Sequence, residues 1–387
     1  MSTTHHGYFL IADITGYTSY LSQSELDHAQ QTLTALLNLL IKHTKPPLII
    51  SRLAGDAVIS YGLRDNFFQG QTFVEMIEDT YVAFRRTIDL MVLNTTCTCN
   101  ACANINTLDL KFFVHYGAFG IQKLDNHNEM VGADVIVIHR LLKNHVTEKT
   151  GFRAYALYSD ATIQQLGLQD ICAKMIPHIE EYEHLGEVQT WIQDMHPVWE
   201  AKKDQTRIPF PPEDIILQVE TEIALPPEQV WDYLIQPEHF NVLAGGTRTE
   251  IAYRKTGFVA EGSIYQCYHG DTIFPQTILE WQPFERILVQ ILAPIPVKNT
   301  FLLTEYRLEP TSKGNRLIQS FGKPTGPLLG QVMAHLMFKM MAKIAQRDID
   351  NFGKHIEDDR SQLGTVFESV PISPETIGAA AAESLTI

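Results

Sequence analysis

The feature that most constrains this chain is a pair of carboxylates, each placed where an apolar strand ends. The run Gly7–Ile14 is apolar and β-branched and stops at Asp13 before a Thr15-Gly16 turn, the pattern of a buried strand. A helix is predicted next, from Thr18 to Lys45. Leu21, Leu26, Ala29, Leu33, Leu36, Leu37, Leu40 and Ile41 recur along it at helical spacing, and Pro46-Pro47 close it. Leu48–Leu53 and Ala57–Tyr61 then read as two strands joined at Gly55-Asp56, so the hairpin tip carries the second carboxylate. Helices over Thr72–Leu93 and Ala133–Asn144, and strands over Leu108–Phe119, Gly151–Leu157 and Val188–Ile192, complete an alternating α+β pattern.

Two carboxylates on neighbouring strands are what two-metal phosphoryl chemistry requires, because a pair of Mg²⁺ ions can then bridge phosphates and polarise an attacking hydroxyl. Taken alone, each Asp is a common turn residue. Their surroundings carry more information. FLIADITGYTSYL resembles the first metal motif of the class III nucleotidyl cyclases, with Tyr17 in the aromatic position. SRLAGDAVISY resembles the second, and Asp56 follows Asp13 by 43 residues, close to the family's separation. HYGAFGIQKLDNHNEMVGADVIVIHRLLK is similar to the strand, turn and Arg-ending helix of the same family.

The resemblance implies a ferredoxin-like nucleotidyl cyclase domain over residues 1–195. It implies two Mg²⁺ or Mn²⁺ ions per site, held by Asp13, Asp56 and the Ile14 carbonyl. The backbone around Thr15, Gly16 and Tyr17 would face the phosphates, and Arg52 and Glu129 take the base-selecting positions. Arg140 takes that of the catalytic, transition-state arginine. In that family the metal ligands and this arginine come from opposite subunits, so a head-to-tail homodimer with a nucleoside triphosphate at its interface is implied. Two departures stand out: Ile136 replaces the catalytic Asn and Leu185 the phosphate-binding Lys. Two readings follow. One is a divergent regulatory domain that binds metal and nucleotide without turnover, or serves only as a dimerising scaffold. The other is an active cyclase, with recruits such as Lys143 or Arg64, that makes a 3',5'-cyclic nucleotide and diphosphate.

Cys97, Cys99 and Cys102 form a C-x-C-x2-C cluster between a helix and a strand. A soft metal such as Zn²⁺ suits this thiol density, with His115 or another residue as fourth ligand. Reduced thiols in a loop are the alternative. A similar cluster, together with the ADITGYT and GDAV strings, marks a cyclase-related bacterial family of unknown function.

At 387 residues the chain is expected to hold two cores. The Pro-rich stretch 196–213 reads as a linker, and 214–357 as seven strands, one short helix over Pro227–Leu234 and a single long helix over Pro327–Ile356. That helix carries Leu328, Leu329, Val332, Met333, Leu336, Met337, Met340, Met341 and Ile344 on its expected buried face. VETEIALPPEQVWDYLIQPEHFNVL resembles the opening of the START/polyketide-cyclase-like (SRPBCC) superfamily, which implies a helix-grip domain that binds a hydrophobic small molecule. The Met cluster could line its cavity. Tyr268, His269 and Asp271 share a strand segment, but alternation separates them. Residues 358–387 are expected to be disordered.

A formal net charge of −15 argues against a nucleic-acid partner. No apolar run approaches the roughly 18–20 residues of a membrane span, and the opening lacks a basic segment and cleavage site. A cytoplasmic protein is expected.

Overall fold

The computed structural model describes residues 4–64, 70–124, 127–254, 257–293 and 295–362. They divide into two compact units that meet in sequence at Gln205 and Thr206. Together they make a mixed α+β protein.

The first unit is built on strands β1 (Thr4–Thr15), β2 (Ile49–Ala54), β3 (Ala57–Leu63) and β4 (Asp109–Leu124). Helix Leu26–Thr44 connects β1 to β2, and helix Gly70–Asn94 connects β3 to β4. The spatial order β2-β3-β1-β4 is that of a ferredoxin-like plait. Beyond β4 the sheet continues through β6 (Tyr155–Ser159), β8 (Gly186–Asp194) and β7 (Ile176–Tyr182), while β5 (His127–Val131) pairs with the far end of β4. β1 lies in the middle of the sheet, which explains its unbroken apolar character: Tyr8 to Ala12 are all buried. Phe9 and Ile11 point into a cluster with Phe113, Val135, Ile138 and Tyr155, and Tyr8, facing the other way, meets the Phe73 ring at 5.8 Å.

The helix expected over Thr18–Lys45 is two helices, Tyr17–Ser22 and Leu26–Thr44. Local bonding explains the break. The Ser22 hydroxyl donates to the Ser19 carbonyl, competing with the backbone, and the Glu25 carboxylate leaves the helix axis to accept from the Ala101 amide at 3.0 Å. Helix Ala133–Leu141 ends three residues earlier than the periodicity suggests.

The second unit is an antiparallel seven-stranded sheet, in the order β10 (Arg248–Tyr253), β11 (Ile264–His269), β12 (Thr272–Gln282), β13 (Arg286–Leu292), β14 (Phe301–Thr311), β15 (Gly314–Gly322) and β9 (Ile215–Ile223). The sheet packs against helix Ala342–Gln362 through Ile349, Phe352 and Ile356, which are fully buried in one cluster with Val219, Trp231 and Tyr306. Phe352→Ala should destabilise this unit by about 3–5 kcal/mol, read from its thermal unfolding midpoint.

Three expectations are corrected here. The long helix is two, Leu328–Met340 and Ala342–Gln362, separated at Met341. The first is apolar nearly all round, so periodicity could not choose its inner side. Ala334 and Phe338 are buried, whereas Leu328, Leu329, Val332, Leu336 and Met340 face solvent. The proline-rich stretch contains a helix, His196–Lys202, and Ile208 is fixed to the second unit by its amide, which donates to Glu280 at 2.7 Å. Finally, residues 358–362 are helical rather than disordered, and the remainder of the expected tail, 363–387, lies outside the described residues. Among the described residues, no helix is long and apolar enough to cross a membrane.

Candidate functional site

Asp13 shares a face of β1 with Phe9 and Ile11 by strand alternation. In register it sits between Ala57 of β3 and Lys111 of β4. Asp56 occupies the β2–β3 turn behind Gly55, whose φ of 62° is the left-handed conformation that glycine adopts without cost. That requirement explains the Gly-Asp order of the turn. The Ile14 amide donates to the Asp56 carbonyl at 3.3 Å, tying the turn to the end of β1. Carboxylates 43 residues apart in sequence are thus brought together, one at the end of β1 and one in the adjoining β2–β3 turn.

Their electrostatics follow from that meeting. Burial raises the Asp13 pKa, with Lys111 opposing. Burial also pushes Asp56 up to about 7, and the negative charge of Asp13 adds to the effect. Two half-buried carboxylates that repel each other are short of positive charge, and a divalent cation would supply it. The donor set fits: carboxylate oxygens and the Ile14 carbonyl are the hard ligands that Mg²⁺ and Mn²⁺ prefer. When bound, such ions would neutralise phosphate charge and polarise an attacking oxygen.

Lys111 also belongs to this site, though no sequence motif marks it. It is half-buried beside Asp13, with its ammonium 5.1 Å from the Tyr155 ring centroid, and burial lowers its pKa while Asp13 opposes. Its signal was a lone lysine inside the apolar run Leu108–Phe119. Only the β1–β4 register reveals what it faces.

Thr15 donates from its hydroxyl to the Arg153 carbonyl at 3.2 Å. Gly16 has φ 87°, and a Cβ there would sit 3.1 Å from the Thr107 carbonyl oxygen, so the turn requires glycine. The Tyr17 ring is buried, which leaves only its backbone available to a ligand.

Arg52 and Glu129 are brought together across β2 and β5, with 3.3 Å between Nη1 and Oε2. A third group joins them: Arg52 Nη2 donates to His139 Nε2 at 3.3 Å. Burial lowers the His139 pKa and the Arg52 charge lowers it further, with Glu129 opposing; a guanidinium can only donate, so Nε2 is the acceptor. Arg140, the next residue, is exposed, as is Ile136 one turn earlier on the same face. Leu185 lies at the β7–β8 turn. Lys143 is exposed just beyond the helix. Arg64 follows Leu63, which pairs with Gly7 toward the opposite end of β1 from Asp13.

Cys97, Cys99 and Cys102 converge on His28, not on His115. His115 lies within the sheet, its Nδ1 2.8 Å from Ser159 Oγ and its Nε2 3.3 Å from Asp134 Oδ1. His28 carries no local motif: it lies 69 residues before Cys97 on a different element.

The second unit holds a cavity of about 180 Å³ between the sheet and its closing helices. Leu217, Phe274, Ile291, Phe321, Met337 and Met341 supply apolar wall; Met333 and Met340 take no part. His269 lines it too, whereas the Tyr268 hydroxyl donates to Glu250 at 3.1 Å and Asp271 is exposed, so the three do not form one set. Gln276 is 5% exposed and also lines the cavity; its Nε2 donates to Cys267 Sγ at 3.2 Å, but its Oε1 is buried with no hydrogen-bond partner among the described residues.

The fold and site thus define a ferredoxin-like α+β unit with two neighbouring carboxylates at one end of its sheet, followed by a unit in which an antiparallel sheet packs on a long helix. Residues 33–150 match the family described as "Protein of unknown function (DUF2652)", and residues 214–357 match "Polyketide cyclase / dehydrase and lipid transport". The first match includes Asp56 and the cysteine cluster but begins after Asp13. An uncharacterized protein of Mycobacterium tuberculosis is 31% identical over 99 residues, which cover 26% of this chain and 44% of the relative, less than half its length. Among solved structures, a bacterial light-regulated adenylyl cyclase is similar at 11% identity and TM-score 0.38, over 49% of this chain and 52% of its own. The guanylyl cyclase Cya2 is similar at 13% identity and TM-score 0.37, over 49% and 92%.

Proposed function

We propose that this chain is a two-domain regulator. Its first domain binds a nucleoside triphosphate with Mg²⁺ or Mn²⁺ and dimerises head to tail; its second binds an apolar small molecule. The observation that carries the first half is the meeting of Asp13 and Asp56, two repelling carboxylates, one at the end of β1 and one in the adjoining β2–β3 turn, beside a backbone turn that requires glycine. Asp13, Asp56 and the Ile14 carbonyl would hold the metal. Arg52, Glu129 and His139 would contact the base, and the exposed Arg140 would reach the partner's site.

Binding without turnover is the favoured reading. The exposed Ile136 offers no hydrogen bond to a ribose, and Leu185 none to a phosphate. Each such preorganised contact is typically worth ~10²–10³ in rate. The competing reading is an active nucleotidyl cyclase. Incubating the full chain with each triphosphate and either metal, alongside Asp13→Ala and Asp56→Ala, separates the two. Cyclic product that disappears in both variants establishes the enzyme.

The cavity of the second domain, about 180 Å³, is close to the ~150 Å³ that accepts a benzene-sized guest. The unpartnered Gln276 Oε1 favours a ligand with an apolar body and one hydrogen-bond donor. Gln276→Leu should weaken binding of a hydroxylated aromatic probe by about 10-fold or more, and leave the matching hydrocarbon unaffected or tighter. Competition against an environment-sensitive fluorophore reads both; equal weakening of the two probes would contradict this role.

A further inference from the structure

We propose that His28, Cys97, Cys99 and Cys102 form a closed, four-coordinate zinc site that fastens helix Leu26–Thr44 to the segment leading into β4. The four ligand atoms lie within 4.8 Å of one another. His28 Nδ1 is 3.2 Å from Cys99 Sγ, 3.5 Å from Cys102 Sγ and 3.6 Å from Cys97 Sγ. A tetrahedral ion with Zn–S near 2.3 Å and Zn–N near 2.05 Å would separate nitrogen from each sulfur by about 3.6 Å. The spacing is therefore that of a coordination shell, and only small adjustments separate it from the metal-bound geometry.

The surroundings support the same assignment. The Cys102 amide points at Cys99 Sγ from 3.4 Å, the kind of N–H contact that steadies a metal-bound thiolate. Glu25 accepts from the Ala101 amide at 3.0 Å and from Asn100 Nδ2 at 3.4 Å, holding the cysteine segment against the helix that carries His28. All five cysteines of the chain are free thiols. Three sulfurs and one nitrogen select a soft, tetrahedral ion and leave no open position for substrate, so the role is structural. This zinc is separate from any metal at Asp13 and Asp56.

The test is the metal content of the purified full-length chain, with cobalt as a spectroscopic probe. We expect close to one zinc per chain, released when the thiols are modified. Cobalt exchange should give thiolate-to-metal charge transfer and the intense visible bands of tetrahedral coordination. His28→Ala and Cys99→Ser should each weaken zinc affinity by about 10²-fold or more. His28→Cys keeps four ligands and should retain the metal with stronger charge transfer, so loss of binding cannot be blamed on misfolding alone. Cys172→Ser and Asp13→Ala should keep their zinc. A zinc-free chain that gains no thermal stability from added zinc, a disulfide among the three cysteines, or a cobalt spectrum unchanged by His28→Ala would overturn the assignment.

Discussion

Arg286→Met is expected to lower the stability of the second unit by about 3–5 kcal/mol, a drop in its unfolding midpoint of roughly 10 °C. Arg286 is 6% exposed at its side chain and holds two buried carboxylates, Glu280 at 2.8 Å and Glu305 at 2.6 Å. It also donates twice to the Ile208 carbonyl at 3.1 Å. Methionine matches the volume but leaves Glu280 without its countercharge and Glu305 with only Arg307, at 4.0 Å, and burying an unpaired carboxylate costs more than the pair gains by forming. Neutralising the acids as well, with Glu280→Gln and Glu305→Gln, should restore part of the loss. Recovery stays incomplete because the Ile208 carbonyl keeps no donor. Differential scanning calorimetry resolves this: a midpoint within a degree or two of the parent would mean the network contributes nothing net.

The second large effect belongs to the first unit. Asp13→Asn and Asp56→Asn should each weaken metal-dependent nucleotide binding by more than ~100-fold, since even groups that only support a metal ligand contribute 10–100-fold. The same substitutions should leave the metal-free fold equally or more stable. Burial and mutual repulsion act against the charged pair, and an amide of the same shape removes both costs. A purely structural Asp predicts the reverse, so loss of stability in the metal-free Asp56→Asn chain would speak against a ligand-binding role. Calorimetry with and without Mn²⁺ reads both quantities.

The sequence revealed those elements whose periodicity left one answer. β1, the β2–β3 hairpin and all seven strands of the second unit announce themselves by apolar runs between turn residues. Helix Leu328–Met340 did not reveal its inner face, because it is apolar nearly all round. β5 and β7 went unread because their residues are mostly polar or half-exposed, and their pairing rather than their composition makes them strands. The site shows the same division. Asp13, Asp56 and the three cysteines carry local motifs. Lys111, His139 and His28 carry none, since each matters only through a partner on a distant strand or helix. His115 was the nearest histidine to the cysteines in sequence, yet its strand carries it into the sheet, while the start of helix Leu26–Thr44 carries His28 to the sulfurs.

The measurement that bears most directly on the account is nucleotide binding by the full chain, followed calorimetrically with and without Mn²⁺, with product analysis of the same samples. The account predicts binding that requires the metal, disappears in Asp13→Asn and Asp56→Asn, and yields no cyclic product. Binding that ignores the metal or survives both substitutions would contradict it, and cyclic nucleotide formed by the parent chain but not by either variant would make the first unit an enzyme.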